Sequence, residues 1–275
     1  MGFLSGKKIL ITGMLSNRSI AYGIAKAMHR EGAQLAFTYQ GEGIKNRVVG
    51  LSSEFETDLI LPCDVTSDQE IDALFAALGG RWDGLDGIVH SIAFAPREAL
   101  SGDYLDSISR ESFRIAHDIS SYSFAALAKA ALPMMQGRKA ALVTLSYLGA
   151  ERAMPNYNVM GLAKAALEAS VRYLAVDFGR ERIRVNAISA GPIRTLAGAG
   201  IGDARAMFAF QQRHSPLHRG VTLDELGGAA LYLLSDLSTG VTGDIHFVDS
   251  GYNVIAMPHP DALRADREGR DDDGH

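Results

Sequence analysis

Apolar residues in this chain fall into short unbroken runs, separated by stretches where they recur every three or four positions. The runs are "KILITG" (8–13), "QLAFTY" (34–39), "DLILP" (58–62), "GIVHSI" (87–92), "ALVTLS" (141–146), "IRVNAIS" (183–189) and "DIHFV" (244–248). Runs of strand length rich in Val, Ile and Leu predict strands buried on both faces. Between them, stretches such as "AYGIAKAMHREG" and "LDELGGAALYLLS" carry the helical period. Strand and helix in alternation imply parallel pairing. The expected fold is therefore α/β, a doubly wound Rossmann fold whose parallel seven-stranded sheet has helices on both faces. No repeat or linker interrupts residues 1–257, which read as one domain.

Two regions break the alternation. Residues 194–220, "RTLAGAGIGDARAMFAFQQRHSPLHRG", join a Gly/Ala-rich stretch to a short apolar helix, and read as a mobile insertion over a site. Residues 258–275, "PHPDALRADREGRDDDGH", are rich in Pro and charge and read as a disordered tail. The acidic triplet and terminal His275 read as solvated rather than metal-binding, so no metal site is expected.

Composition narrows the class. With 275 residues, 47% hydrophobic and 21% charged, the chain suits a single α/β core. Its apolar runs are too short for a transmembrane helix. The start, "MGFLSGKKILITG", enters a strand without a basic region, apolar core or cleavage site, so neither a signal peptide nor an N-terminal lipid anchor is expected. A lone cysteine, Cys63, allows no internal disulfide and reads as a small buried side chain, in keeping with a cytoplasmic protein. The net charge of −5 argues against a nucleic-acid partner.

The first strand runs into "ITGMLSNRSIAYGIAKA". A glycine turn between a first strand and a helix is where an α/β sheet receives a dinucleotide pyrophosphate on backbone N–H groups. Gly13 supplies the turn, although the spacing departs from G-x-G-x-x-G, and a plain strand–turn–helix is the alternative. Ser19 is placed to cap the helix and to donate to phosphate. The second strand ends at Gln40, a neutral residue where an acid would bind ribose hydroxyls and a base would welcome a 2′-phosphate. With no basic residue at that tip, NADH is favoured over NADPH. Asp64 and Val65, after the third strand, are placed to frame adenine, or else form a helix-capping turn.

The stretch "LSYLGAERAMPNYNVMGLAKAAL" (145–167) holds Tyr147, Tyr157 and Lys164. Apolar positions from 159 to 178 predict a helix from about Tyr157 to Phe178, closed by Gly179. Seven residues is two turns, so Tyr157 and Lys164 share a face about 10 Å apart along the axis. Alone the pair is commonplace, and it gains meaning only if a nucleotide fills the gap.

The ordered set "ITG", "CDV", "VHSIAFAP", "TLSYLGAERAMPNYNVMGLAKAALEA", "RVNAISAGPIRT" and "VTGDIHFVDSGYNV" resembles the short-chain dehydrogenase/reductase superfamily from residue 3 to about 257. Within it the chain resembles the divergent bacterial branch of NADH-dependent enoyl-(acyl-carrier-protein) reductases of fatty-acid elongation. Ketone reductases of the superfamily use Tyr-x3-Lys with a serine thirteen residues earlier. Here those positions are Met160 and Tyr147, and the hydroxyl is moved to Tyr157. Such a shift suits an enoyl thioester, where hydride goes to the β-carbon and charge develops on a more distant oxygen.

The resemblance implies hydride transfer from nicotinamide to a trans-2-enoyl thioester, with Tyr157 stabilising the enolate oxygen. It implies that Lys164 holds the nicotinamide ribose and eases loss of the Tyr157 proton, while Tyr147 shapes the acyl pocket. It assigns cofactor contacts to Gly13, Ser19, Ile20, Gln40, Asp64, Val65, Ser91, Ile92, Lys164, Ile193, Thr195 and Ala197. The substrate side falls to Ala95, Tyr147, Tyr157 and Met160, with residues of about 194–214 as the substrate-binding loop. Ala93 stands where many relatives have glycine, a methyl that crowds flat aromatic inhibitors. The resemblance also implies an acyl carrier protein as substrate carrier, a homotetramer with "GDIHFVDSGYNV" near a subunit contact, and no membrane partner. An acidic carrier calls for a local basic patch, for which Arg194, Arg205, Arg213 and Arg219 are candidates against ordinary solvated charge. Two other readings stand beside this one: a ketone or alcohol oxidoreductase using NAD(P)H, and a dinucleotide-binding protein without turnover.

Overall fold

A computed structural model describes residues 2–193, 204–257, 259 and 260. Seven strands form one sheet in the order β3-β2-β1-β4-β5-β6-β7. They are β1 (Lys8–Ile11), β2 (Gln34–Tyr39), β3 (Ile60–Pro62), β4 (Gly87–His90), β5 (Ala141–Ser146), β6 (Arg184–Ala190) and β7 (Ile245–Val248). Every neighbouring pair is parallel. The expected sheet is present, with strands slightly shorter than the apolar runs. At the end of β1, Thr12 still donates its N–H to Val89, but Gly13 turns to φ 78° and leaves the ladder.

The helices are α1 (Ile20–Arg30), α2 (Glu42–Ser52), α3 (Asp68–Gly79), α4 (Tyr104–Ser107), α5 (Arg110–His117), α6 (Ser123–Met135), α7 (Asn158–Gly179), α8 (Ala204–His214) and α9 (Leu223–Leu234). A π-helical turn, Asp118–Tyr122, joins α5 to α6. Two apolar cores lie on opposite faces of the sheet. Leu74 of α3, Phe124 of α6 and Leu167 of α7 pack with Leu10, Ile88 and Leu142 on one face. Ile24 and Met28 of α1 and Leu226 and Leu233 of α9 pack with Ile9, Val89 and Val143 on the other. Successive strand residues thus feed opposite cores, the consequence of a two-residue side-chain period in a sheet covered on both sides.

Helix starts follow local chemistry. Thr222 and Glu225 form a reciprocal capping box at α9, and Ser67 accepts from the N–H of Glu70 at α3. The expected cap by Ser19 is not made: its hydroxyl donates instead to the carbonyl of Ser16 at 2.6 Å. Nor does Gly179 close α7. It is the last helical residue, and the left-handed position that ends the segment is Arg182 at φ 59°. No helix among the described residues is long and apolar enough to cross a membrane.

Candidate active site

Strand order reverses between β1 and β4, whose neighbours lead away in opposite directions. In such a sheet the crevice beyond the strand C-termini at the switch point is the natural ligand site. A cleft of about 440 Å³ lies there. One end is lined by Gln40, Asp64 and Val65, at the tips of β2 and β3. The middle is walled by Gly13, Ser19 and Ile20 from the first turn, and by Ser91 and Ile92 after β4. Tyr147, Tyr157 and Lys164 line the far end.

Each wall has a local cause. A Cβ at Gly13 would come within 1.9 Å of the Ser91 carbonyl oxygen, and its φ is positive, so the turn brings β1 and β4 together only with glycine. The Ser19 side chain turns back to Ser16 and caps none of the first amides of α1, whose start, at Ser19 and Ile20, lines the cleft, a helix N-terminus of the kind that receives phosphate. Gln40 Nε2 donates to Asp64 Oδ2 at 2.8 Å, so the tips of β2 and β3 form one hydrogen-bonded rim. These features fit a dinucleotide lying across the strand ends. Among the described residues no cluster of metal-ligating side chains occurs.

At the far end Tyr157 occupies the N-cap of α7 and Lys164 its second turn. The two do not touch: Lys164 Nζ donates to the Leu145 carbonyl at 2.7 Å. Burial lowers the Lys164 ammonium to about 8, against the opposing influence of Glu168. Burial also drives the Tyr157 phenol far above its ordinary range, with Tyr147 and Glu168 adding to the shift. Lys164 is not among the influences on this phenol. Burial thus favours the protonated phenol over the phenolate.

Tyr147 meets the Tyr157 ring edge to face, with centroids 5.0 Å apart and planes at 74°. Its own hydroxyl is raised to about 12, chiefly by burial, and accepts from Gln211 Nε2 on α8. A Cβ on Gly149 would sit 2.4 Å from the Tyr157 ring, so that glycine creates the seat for the phenol. Ala95 and Met160 do not line the cleft. They pack with Tyr157 in a small apolar cluster behind it, against which Tyr147 also rests. Ile193 packs on the α1–α9 core. Thr195, Ala197 and Arg194 lie outside the described residues, as does almost all of the charged tail.

Several neighbours were not singled out from the sequence. Glu168 accepts from Ser146 Oγ at 2.5 Å beside Lys164, and its place four residues after the lysine is the signal that would have found it. Ile119, on the π-helical turn, also lines the cleft. Ser120 of that turn exchanges hydrogen bonds of 2.9 Å with the backbone of Phe94, fixing the segment after β4. A π-helical register shift leaves no trace in apolar periodicity. Cys63 is buried on the cleft wall, its thiol pushed up to about 12 by desolvation, which makes it an inert lining group.

Residues 13–253 match a family model described as enoyl-(acyl carrier protein) reductase. The chain is 61% identical over 257 residues to the NADH-dependent enoyl-(acyl-carrier-protein) reductase of Neisseria meningitidis, covering 94% of this chain and 98% of that one. It superposes on the crystal structure of the corresponding NADH enzyme of Aquifex aeolicus with a TM-score of 0.91 at 48% identity, covering 93% of this chain and all of the other. The Anaplasma phagocytophilum reductase, solved in complex with NAD, gives a TM-score of 0.89 at 47% identity over 94% of this chain and 98% of its own.

Proposed function

The chain belongs to the enoyl-(acyl-carrier-protein) reductase family of short-chain dehydrogenases/reductases, and from that membership we infer its reaction and the duties of its residues. It is an NADH-dependent oxidoreductase that reduces the carbon–carbon double bond of trans-2-enoyl thioesters carried on acyl carrier protein, a step of fatty-acid biosynthesis. Bound NADH supplies the hydride that goes to the β-carbon. The observation that supports the residue assignments is the convergence of Tyr157, Lys164 and the Gln40–Asp64 rim on one cleft.

In this reading Gly13, Ser19 and Ile20 receive the pyrophosphate, and Gln40, Asp64 and Val65 hold the adenosine end. Ser91, Ile92 and Lys164 border the nicotinamide and its ribose, and the cofactor contacts assigned to Ile193, Thr195 and Ala197 rest on family membership alone. The Tyr157 hydroxyl donates a hydrogen bond to the thioester oxygen as negative charge develops there. A phenol with a raised pKa suits this duty, since it stays a donor throughout and is desolvated before the substrate arrives. Tyr147 shapes the acyl side, with Gln211 holding its hydroxyl in place, and Ala95 and Met160 back the Tyr157 ring from behind the cleft. Residues 1–257 act as one reductase domain with the charged tail outside it.

The finer partner assignments are also proposals. A homotetramer is supported by apolar side chains left in solvent, including Leu162, Tyr173 and Val176 on α7 and Phe113 on α5. Of the candidate basic patch, Arg219 is committed to Glu225 at 2.6 Å, whereas Arg205 is exposed on α8 and suits an acidic carrier. The buried free thiol of Cys63 supports a cytoplasmic location. The test of the reaction is the loss of NADH absorbance with crotonyl thioester and, separately, with a simple ketone. Turnover of the thioester is expected, and oxidation with the ketone alone would replace this reading by the ketone reductase.

A further inference from the structure

Lys164 and Glu168 are one turn apart on α7, and both are 5% exposed. Two successive residues of β5 grip them. The Leu145 carbonyl accepts from Lys164 Nζ at 2.7 Å, and the Ser146 hydroxyl donates to Glu168 Oε1 at 2.5 Å. An O–H to carboxylate bond of that length is the charge-assisted kind, which favours the ionised acid. The lysine and the glutamate form no direct ion pair within 4.0 Å, so Lys164 keeps its remaining protons free for the cleft while a negative charge stands beside it. A buried ammonium with a neutral carbonyl as its sole partner would tend to lose its proton.

We propose that Glu168, held by Ser146, is a positioning residue whose carboxylate keeps the Lys164 ammonium charged where it meets the cofactor. The inference rests on the reading of Lys164 as the lysine that holds the nicotinamide ribose. The other groups facing the pair do not supply this charge. His90, on β4, is neutral and fully buried, and is itself disfavoured as a cation by Lys164. Tyr157 and Tyr147 are protonated phenols. Burial raises the Glu168 carboxyl above its ordinary range and Glu151, after β5, adds to that, while the Ser146 hydrogen bond, Arg172 a turn further along α7, and Lys164 itself act to keep it ionised. Glu168 is the acid whose influence opposes burial at the lysine.

The test measures NADH affinity of the full chain by nucleotide fluorescence across pH 6 to 10, with crotonyl-thioester turnover in parallel. In the wild type, affinity should fall on the alkaline side as the lysine discharges. Glu168→Gln keeps the shape and an acceptor for Ser146 but removes the charge, and the alkaline fall should move about one pH unit lower. Above that limb, NADH should bind about tenfold more weakly than to wild type. Glu168→Asp retains the charge and should keep the limb near its wild-type position. If the glutamine variant does not fold, Glu168→Met removes the same charge without needing a hydrogen-bond partner and reads the same limb. A limb unmoved in the folded Gln or Met variant, or a uniform weakening at every pH, would overturn the proposal. Failure of the wild type to bind NADH would instead overturn the cofactor reading beneath it.

Discussion

Tyr147 and Tyr157 meet edge to face 5.0 Å apart, yet only Tyr147 has a described side-chain partner for its hydroxyl, from Gln211. The lack of such a partner for the Tyr157 hydroxyl among the described residues suits the donor role proposed for it. Tyr157→Phe is therefore expected to lower turnover on enoyl thioesters by about 100-fold or more, with little change in NADH affinity. Lys164→Ala is expected to weaken both. Steady-state kinetics beside direct NADH titration separates the two effects, and full activity of the phenylalanine variant would remove Tyr157 from its assigned duty.

Gly149 provides the space for that phenol. In Gly149→Ala the new methyl would stand 2.4 Å from the Tyr157 ring, and the ring or the turn has to shift. A stability loss of about 1–3 kcal/mol is expected from the overpacking. Turnover should fall more than NADH affinity, since Lys164 is held separately by Leu145. Thermal melting and kinetics on one preparation measure both.

At the other end of the cleft, Gln40 donates to Asp64 at 2.8 Å. Gln40→Arg places a guanidinium where Asp64 can orient it and where a 2′-phosphate would lie. The ratio of NADPH to NADH efficiency is expected to rise about tenfold or more, read from kcat/KM with each nucleotide. An unchanged ratio would show that the ribose end lies elsewhere.

His90 sits fully buried between Thr144 Oγ1 at 2.8 Å and Ser123 Oγ at 2.9 Å. Burial first, and then the Lys164 charge, hold its imidazole down at about 3. Below the ordinary histidine value of about 6.5 the unfolded chain takes up a proton that the folded chain refuses. This residue's contribution to stability is thus complete above that value and is lost as pH falls from there toward 3. His90→Gln is expected to cost about 1–3 kcal/mol at neutral pH. The gap in melting temperature between wild type and variant should narrow as pH is lowered from 6.5 to 4.5.

Much of this is legible in the sequence. The seven strands could be read because each is an apolar run bounded by turns, and a fully covered parallel sheet demands that pattern. Tyr157 and Lys164 could be paired because a helix converts a spacing of seven into a shared face. The details that escaped depend on where a polar side chain turns among competing partners. Ser19 looked like a cap, but its hydroxyl finds the Ser16 carbonyl. The burial that raises the Tyr157 phenol comes from residues as distant in sequence as Ala95 and Ala99. Gln211 reaches Tyr147 across 64 residues of sequence, and no local pattern encodes such a meeting.

α7 runs for 22 residues, about 33 Å of rigid rod. Tyr157 and Lys164 are carried at its first turns, while Tyr173 and Val176 stand in solvent near the opposite end. A rod of this kind is a lever. Any neighbour that seats itself on the distal face sets the tilt of the whole beam, and a few degrees there translate the proximal hydroxyl by an appreciable fraction of an ångström. Assembly and chemistry would then share one mechanical axis, and the alignment of the phenol would be a property of the oligomer as much as of the chain.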